Sequence, residues 1–414
     1  MRDEHDYRGC PSIVRAAVAT WKQTQNEVFV PLTHPPGEAQ CDFGQAWVIL
    51  AGQRHKAALF VLTLPYSNAR FGCLFPRECS EAFLEGHVRA FAFLGGVPQA
   101  IRYDNSRLAV IDCLGGHRRR VSAGFLRLQG HFAFASQFCS VRRAQEKGHV
   151  ENGVGYVRRN FLVPLPAADD WETLNTQLTT ACQREWSRPA PRGGLRTAEL
   201  LQQERRAFLP LPAEPFEASR REVVTINTLS LGRFDTNDYS VPTAYAHRTL
   251  SVSGTIDRVR FVWRGAVVAE HARCWDKHQV VLQPLHYLAL LEQKPYAFDH
   301  ARPLAGWTLP TPCGALRRRL EEADPAEGTR KYIRVLRLLE SWPLSAVTEA
   351  VTAALQLGAI DPDAIRLIVE KAAEPPRPAS FDLSDRPRLL AVSVPGVDLA
   401  AYRQLTSAPG GKNG

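Results

Sequence analysis

Apolar residues along this chain alternate between stretches of helical period and stretches of strand period, and the changes of period mark its elements. Over Ser12–Lys22, Ile13, Val14, Ala17, Val18 and Trp21 recur at helical spacing, which predicts a helix. Val28–Leu32 and His34-Pro35-Pro36-Gly37 then read as an extended, Pro-stiffened connector. From residue 39 the pattern turns to strands. Residues 39–50, 54–64 and 68–76 are β-rich runs broken by Ala51-Gly52 and Pro65-Tyr66, a meander signal. Ser80 is expected to cap a helix reaching Phe93, with Phe83, Leu84, His87, Val88 and Phe91 on one stripe. Gln99–Tyr103 reads as a short strand, 122–130 as a helix and 136–141 as a strand. A helix over Lys147–Phe161 follows, its buried face marked by Val150, Val154, Val157 and Phe161.

Three antiparallel strands, helix, strand, helix, strand, helix is the order of a ribonuclease-H-like mixed sheet with flanking helices. Pro164-Leu165-Pro166 closes that unit. Asp170 to Trp186 and Thr197–Arg206 read as helices, and 220–272 as short strands with Gly and Asn/Asp turns, spaced as in a small β-barrel. Helical patterns return over 316–322, 328–341, 344–357 and 362–371 before a Pro/Gly-rich tail. The fold class expected is therefore α/β multidomain. Its segments are an N-terminal helix and connector (1–35), a catalytic sheet domain (36–165), a helical linker (166–218), the barrel (219–272) and a helical C-terminal region (273–414).

Composition narrows the function. At 414 residues with 45% hydrophobic and 22% charged positions, the chain is a folded protein of more than one domain. No apolar run approaches the roughly 20 residues that span a bilayer. The nine cysteines are scattered and form no Cys-x-x-Cys pair, so neither a disulfide framework nor a zinc knuckle is expected and a reducing cytoplasm fits best. The net charge of +9 is concentrated: Arg102 to Arg159 holds eleven Lys/Arg against four Asp/Glu. A polyanion is the partner such a field attracts.

Within that basic stretch and just before it stand three acidic motifs. They are Asp42 in Gln40-Cys41-Asp42-Phe43-Gly44, Asp104 in Arg102-Tyr103-Asp104-Asn105, and Glu151 in Lys147-Gly148-His149-Val150-Glu151-Asn152. Each alone has a bland reading: a common tripeptide, a turn, a helix start favoured by the macrodipole. The Asp-Phe-Gly of kinases comes with a Gly-rich loop and a catalytic-loop signature, both missing here. Together the acids fall on the first strand, the end of the fourth strand and the closing helix, where carboxylates could hold a pair of divalent cations against a phosphodiester. Arg118, Arg119, Arg120, Lys147, Arg158 and Arg159 are expected to hold phosphates, and Asn105 or His149 to orient the nucleophile. Cys113, His117, His131 and Cys139 match no standard zinc spacing.

PPGEAQCDFG, FLGGVPQAIRYDN and AQEKGHVENGVGYVRRNFL closely resemble the IstA-type insertion-sequence transposases, relatives of retroviral integrases. The likeness continues through Phe234–Pro242 and His286-Tyr287-Leu288 to Lys294-Pro295. The resemblance implies that Asp42, Asp104 and Glu151 form the catalytic triad and hold two Mg²⁺ ions, with Mn²⁺ able to substitute. It implies that the chain binds transposon-end and target DNA as a homo-oligomer and works with an IstB-type AAA+ ATPase in the cytoplasm, associated with the nucleoid. Members of the family carry a helix-turn-helix ahead of this core, so residues 1–35 are expected to be the remnant of a DNA-binding region. A truncated or domesticated, non-catalytic DNA-binding protein is the alternative.

Overall fold

A computed structural model describes residues 10–24, 34–103, 110–113, 119–138, 150–188, 195–374 and 388; for 11, 22–24, 110–113, 119, 120 and 150–152 it describes the backbone alone. The chain divides into two compact units between Gln283 and Pro284.

The first unit opens with α1 (Pro11–Thr24), then β1 (Glu38–Leu50), β2 (Gln53–Thr63) and β3 (Arg70–Phe75). There follow α2 (Ser80–Leu94), β4 (Ala100–Tyr103), a small hairpin of β5 (Val110–Cys113) and β6 (Arg119–Val121), α3 (Ala123–Phe132) and β7 (Ala135–Phe138). Next come α4 (Val150–Phe161), β8 (Ala167–Ala168), α5 (Trp171–Glu185) and α6 (Thr197–Glu204). The main sheet runs β3-β2-β1-β4-β7, with β8 also pairing β1. β1, β2 and β3 pair antiparallel, while β4 and β7 continue the sheet in parallel. That strand order with helices on both faces is the ribonuclease-H-like plan which the hydrophobic pattern predicts.

Why the pattern yields this sheet is visible in β1 and β2. Ala39, Cys41 and Phe43 turn toward α2 and α3 and pack with Phe60, Leu62, Phe83 and Tyr103. Ala46 and Val48 turn to the opposite face and join Leu59, Val61, Val154 and Val157. With both faces covered, β2 is buried continuously from Ala57 to Thr63, so it reads as an unbroken apolar run. The start of α2 departs from expectation. Cys79 is the N-cap, its Sγ accepting the Ala82 N–H, and Ser80 is the first helical residue, bonded through its hydroxyl to Glu81.

Residues 220–272 hold strands, but among the described residues they do not close into a barrel. β9 (Arg220–Thr225), β10 (Leu231–Phe234), β11 (Asn237–Ser240), β12 (Thr249–Gly254), β13 (Arg258–Trp263), β14 (Ala266–Ala272) and β15 (Val280–Val281) form two separate sheets. One is β14-β13-β12-β9 and the other β10-β11-β15; the β10–β11 hairpin pairs with β15, so nothing joins the edges of the four-stranded sheet. Phe234 and Tyr239 from one sheet pack with Leu250, Val252, Val259 and Phe261 from the other. Two packed sheets and a barrel require the same inward–outward alternation, which is why the sequence pattern alone favours neither.

This β region is fastened to the main sheet domain by buried charge. Arg273 gives one nitrogen to Glu81 Oε1 at 2.8 Å and another to Asp235 Oδ2 at 2.8 Å, and Arg77 also bonds Asp235. The Arg273 and Glu81 side chains are essentially inaccessible. Burial pushes the Glu81 carboxyl up, yet Arg273 and the hydrogen bonds together hold it below the ordinary value. Asp235 and Thr236 both have positive φ, forming the tight turn that presents the Asp235 carboxylate to the two arginines.

The second unit is helical: α7 (Leu288–Gln293), α8 (Thr311–Ala323), α9 (Gly328–Leu336), α10 (Leu344–Leu357) and α11 (Pro362–Ala373). Leu316, Leu320, Ile333, Leu336, Val347 and Val351 fill its core, and Glu292 receives Arg334 and Arg337. No helix among the described residues is long and apolar enough to cross a membrane.

Candidate active site

Asp42 stands at a break in the pairing of β1. Parallel pairing with β4 ends at Cys41 opposite Tyr103, and pairing with β8 starts only at Ile49 opposite Ala167. On its other edge β1 stays paired with β2, Asp42 lying opposite Val61. Alternation along the strand puts Asp42 on the same face as Ala46 and Val48, the face that α4 covers. The carboxylate is partly buried, and its Oδ1 accepts the N–H of Phe43 at 2.8 Å. Cys41 looks the other way. Burial, and secondarily the charge of Asp42, push its thiol well above the usual range, so it offers no thiolate to the site.

The approach of α4 explains the glycine of the Asp-Phe-Gly motif. A Cβ on Gly44 would lie less than 3.0 Å from Val154 Cγ1 and 3.0 Å from Arg158 Nη2. On the facing helix, a Cβ on Gly153 would lie 2.9 Å from Thr63 Oγ1 and 3.6 Å from Val61 Cγ1. A glycine on each partner lets the helix and sheet backbones come close. Val154 meets Gly44, while Leu162, two turns on, borders the same cavity as Ala46 and Trp47. The helix thus runs alongside β1 in the same direction, and its first turn, which carries Glu151, is the end toward Asp42.

Glu151 has its backbone in α4, but its side chain lies outside the described residues, as does the whole of Asp104. In the chain Asp104 directly follows Tyr103, whose partner Cys41 directly precedes Asp42. The end of β4 is held from beneath. Tyr103 is fully buried, and its hydroxyl lies 2.9 Å from His87 Nε2, while His87 Nδ1 lies 2.7 Å from the Phe83 carbonyl. Burial lowers the His87 pKa to about 4, so the ring is neutral at pH 7. A carbonyl only accepts; Nδ1 therefore carries the proton, and Nε2 accepts from the tyrosine.

Of the expected phosphate contacts, Arg158 and Arg159 are exposed on α4. Arg119 and Arg120 lie on β6, with side chains outside the described residues; Arg118, Lys147, Asn105 and His149 lie outside them entirely. Arg102, on the α4 side of the sheet next to Gln40, is tied to Glu38 at 3.2 Å and to Gln137 at 3.1 Å. His131 lies 3.1 Å from the Glu214 carbonyl and packs on Phe216. Among the described residues no three His, Cys, Asp or Glu side chains gather around a metal position.

Comparison with known proteins gives the family. Residues 211–283, which hold both small sheets, match the family described as Mu transposase, C-terminal domain. A transposase of Aminobacter aminovorans is 29% identical over 406 residues, covering 92% of this chain and 79% of that protein. The transposase for insertion sequence element IS21 of Pseudomonas aeruginosa is 30% identical over 282 residues, covering 66% of this chain and 70% of that protein. The chain belongs to the IS21-like insertion-sequence transposases. It is a DNA transposase, an enzyme of the polynucleotidyl-transferase type. Among solved structures, the HTLV-2 integrase catalytic core domain in complex with magnesium aligns over 40% of this chain and 96% of that one, at 17% identity and a TM-score of 0.30. The fold of the transposase rests on its own strand order and directions rather than on that superposition.

Two features of the transposase site escape the sequence reading. The His87–Tyr103 bond hides in a stripe that reads as plain core, because a buried histidine on an apolar face has the pattern of any core residue. The close contact at Gly44 has a signal, a glycine inside a strand run, which marks a near backbone approach.

Proposed function

We propose that the transposase cuts DNA at the ends of its mobile element and joins the freed 3′-OH ends to target DNA, with Asp42, Asp104 and Glu151 as a metal-holding triad. One observation carries this reading. The β1–β4 register stops one residue short of Asp42 on one strand and one residue short of Asp104 on the other, and α4 approaches the same face with its Glu151 end toward Asp42. Hard oxygen donors with the neighbouring cysteine protonated and turned away suit Mg²⁺ or Mn²⁺ rather than a thiolate-seeking metal. Gln40 Oε1, buried two residues before Asp42 on the same face, has no hydrogen-bond partner among the described residues and adds an oxygen acceptor there.

Asp42, Asp104 and Glu151 would together hold two Mg²⁺ ions in this reading. When bound, the ions supply Lewis-acid stabilisation for charge developing on phosphate oxygens. The protein's own residues hold and orient. The Phe43 N–H restrains the Asp42 carboxylate, the His87–Tyr103 bond steadies the end of β4, and Arg158 and Arg159 draw the DNA backbone to the edge of α4. In cutting, a water oxygen bonds to phosphorus as the bond to the element's 3′ oxygen breaks. In joining, that 3′ oxygen forms the new bond to a target phosphorus as the target's own 3′ oxygen leaves. The expected partners are element-end and target DNA, further copies of this chain and an IstB-type AAA+ ATPase, in the cytoplasm.

Asp42→Asn, Asp104→Asn and Glu151→Gln should each lower cutting and joining of labelled element ends by at least about 100-fold, since each removes a charged metal ligand. Salt-sensitive DNA binding should persist in all three. Full activity in any one variant would remove that residue from the triad, and a wild-type chain unable to nick DNA with Mg²⁺ or Mn²⁺ would favour the non-catalytic alternative.

A further inference from the structure

Beyond Asp42, β1 forms one wall of a cavity of about 370 Å³ whose lining includes Trp47, Lys56, Arg158, Leu162 and Leu165. Its size lies in the roughly 300–1,000 Å³ range of sites that take one small organic group. Trp47 is 43% exposed, unusual for a large aromatic in the middle of a strand, and the Arg54 guanidinium lies 4.2 Å over its ring. Lys56 is the cross-strand partner of Trp47. Among the described residues Arg54, Lys56 and Arg158 have no carboxylate partner, so two uncompensated cations line the cavity and a third lies over one face of the Trp47 ring. Leu162 and Leu165 give the cavity an apolar side. Trp47 is five residues beyond Asp42, on the order of 16 Å at about 3.3 Å per strand residue. By strand alternation Trp47 lies on the opposite face of β1 from Asp42, so a strand held at Asp42 would reach it, a few nucleotides on, round the edge of β1 left open between its pairings with β4 and β8.

We infer that this cavity is a subsite for an unpaired DNA nucleotide a few nucleotides from the reacting phosphodiester, with Trp47 as the stacking platform and Lys56 and Arg158 as phosphate contacts. The inference rests on the active-site reading above, because that reading brings DNA to this edge of the sheet. Every base offers a π-face, and a tryptophan among cations serves any of them without reading sequence. Paired bases inside a duplex stack on one another and keep both faces covered, so the cavity selects frayed or single-stranded DNA. Trp47 is in this sense a residue for substrate form, separate from the carboxylates that act on the phosphate.

The test uses the full chain in EDTA, with a fluorescein-labelled mixed-sequence 20-nucleotide single strand and the matching blunt duplex as probes. Trp47→Ala should weaken single-strand binding by about 5- to 150-fold, the span of one stacked base, and leave duplex binding within about twofold. Trp47→Phe should recover most of the loss, and Lys56→Ala should lower the logarithmic salt slope on the single strand by about 0.7. In the wild-type chain, a single strand carrying 5-iodouracil should photocrosslink at Trp47, a readout that needs no variant to fold. Unchanged single-strand binding by a folded Trp47→Ala chain, equal losses on both probes, or no crosslink at Trp47 would each overturn the inference. Because binding is read without metal, such a failure leaves the triad untouched; the triad stands or falls on cleavage by the carboxylate variants.

Discussion

Gly44→Ala adds one carbon at the contact that sets the distance between β1 and α4. That carbon would meet Val154 Cγ1 at less than 3.0 Å, whereas carbon atoms rest at about 3.5–4.0 Å. The Arg158 end can swing aside, but Val154 is β-branched, buried and restricted to one rotamer in a helix. The helix itself must therefore retreat by roughly an ångström. Overpacking of this kind costs about 1–3 kcal/mol. The displaced helix carries Glu151 one turn ahead of Val154, and misplacing a reacting geometry by about 1 Å can cost on the order of 100-fold in rate. Gly44→Ala should thus lose more activity than its stability loss explains. Val154→Ala alone deletes two buried methyl groups, about 1.5–2 kcal/mol, but makes room for the new carbon. In the double variant the two effects should compensate, with a favourable coupling of about 1–3 kcal/mol. Denaturant unfolding and joining of labelled ends, measured across the four-member cycle, test this. A Gly44→Ala chain as stable and active as wild type, or strictly additive effects in the double variant, would refute the packing argument.

Other contacts in the first unit, and the proposed metal, have measurable consequences of their own. Arg273→Ala leaves Glu81 buried without its cation and should destabilise the first unit by about 3–5 kcal/mol in denaturant unfolding. Because the folded Glu81 pKa is lowered, its contribution is present above the ordinary carboxyl range and is lost as pH falls through the folded value; Arg273→Ala should flatten that acid limb. His87 has a folded pKa of about 4 against an ordinary 6.5, so the unfolded chain binds the extra proton between these values. Stability should rise across that window by up to about 3 kcal/mol and level off above it, and His87→Gln should reduce the rise seen between pH 5 and pH 7. Chelation with EDTA should stop cutting and joining, and Mg²⁺ or Mn²⁺ should restore both, while DNA retention on a filter persists throughout.

Much of the main sheet was legible because its signals are local. Ala51-Gly52 and Pro65-Tyr66 punctuate the meander, Asp170 caps α5 through the Thr173 N–H, and the valines of α4 recur at helical spacing. The β8 strand, two residues long, was invisible, since its pairing to Ile49 and Leu50 depends on where the chain returns in space. The barrel expectation failed for a similar reason: closure is a property of edges, and β15, which pairs with β11 from forty residues away in sequence, carries no edge signal. At the site, the β-rich run over 39–50 was enough to place Asp42 on the first strand. The residues that steady it, His87 and Gly44, answer to tertiary neighbours. Trp47 lies unmarked inside the strand run 39–50, because exposure depends on how far α2 extends over the sheet.

The central claim is that the carboxylates of residues 42, 104 and 151 share one metal centre. Fe²⁺ loaded in place of Mg²⁺, with ascorbate and peroxide, cuts the polypeptide beside the bound ion. The account predicts backbone cuts around residues 42, 104 and 151 together, suppressed by excess Mg²⁺ and lost in Asp42→Ala. Cuts confined to one of these segments, or unchanged in Asp42→Ala, would contradict it.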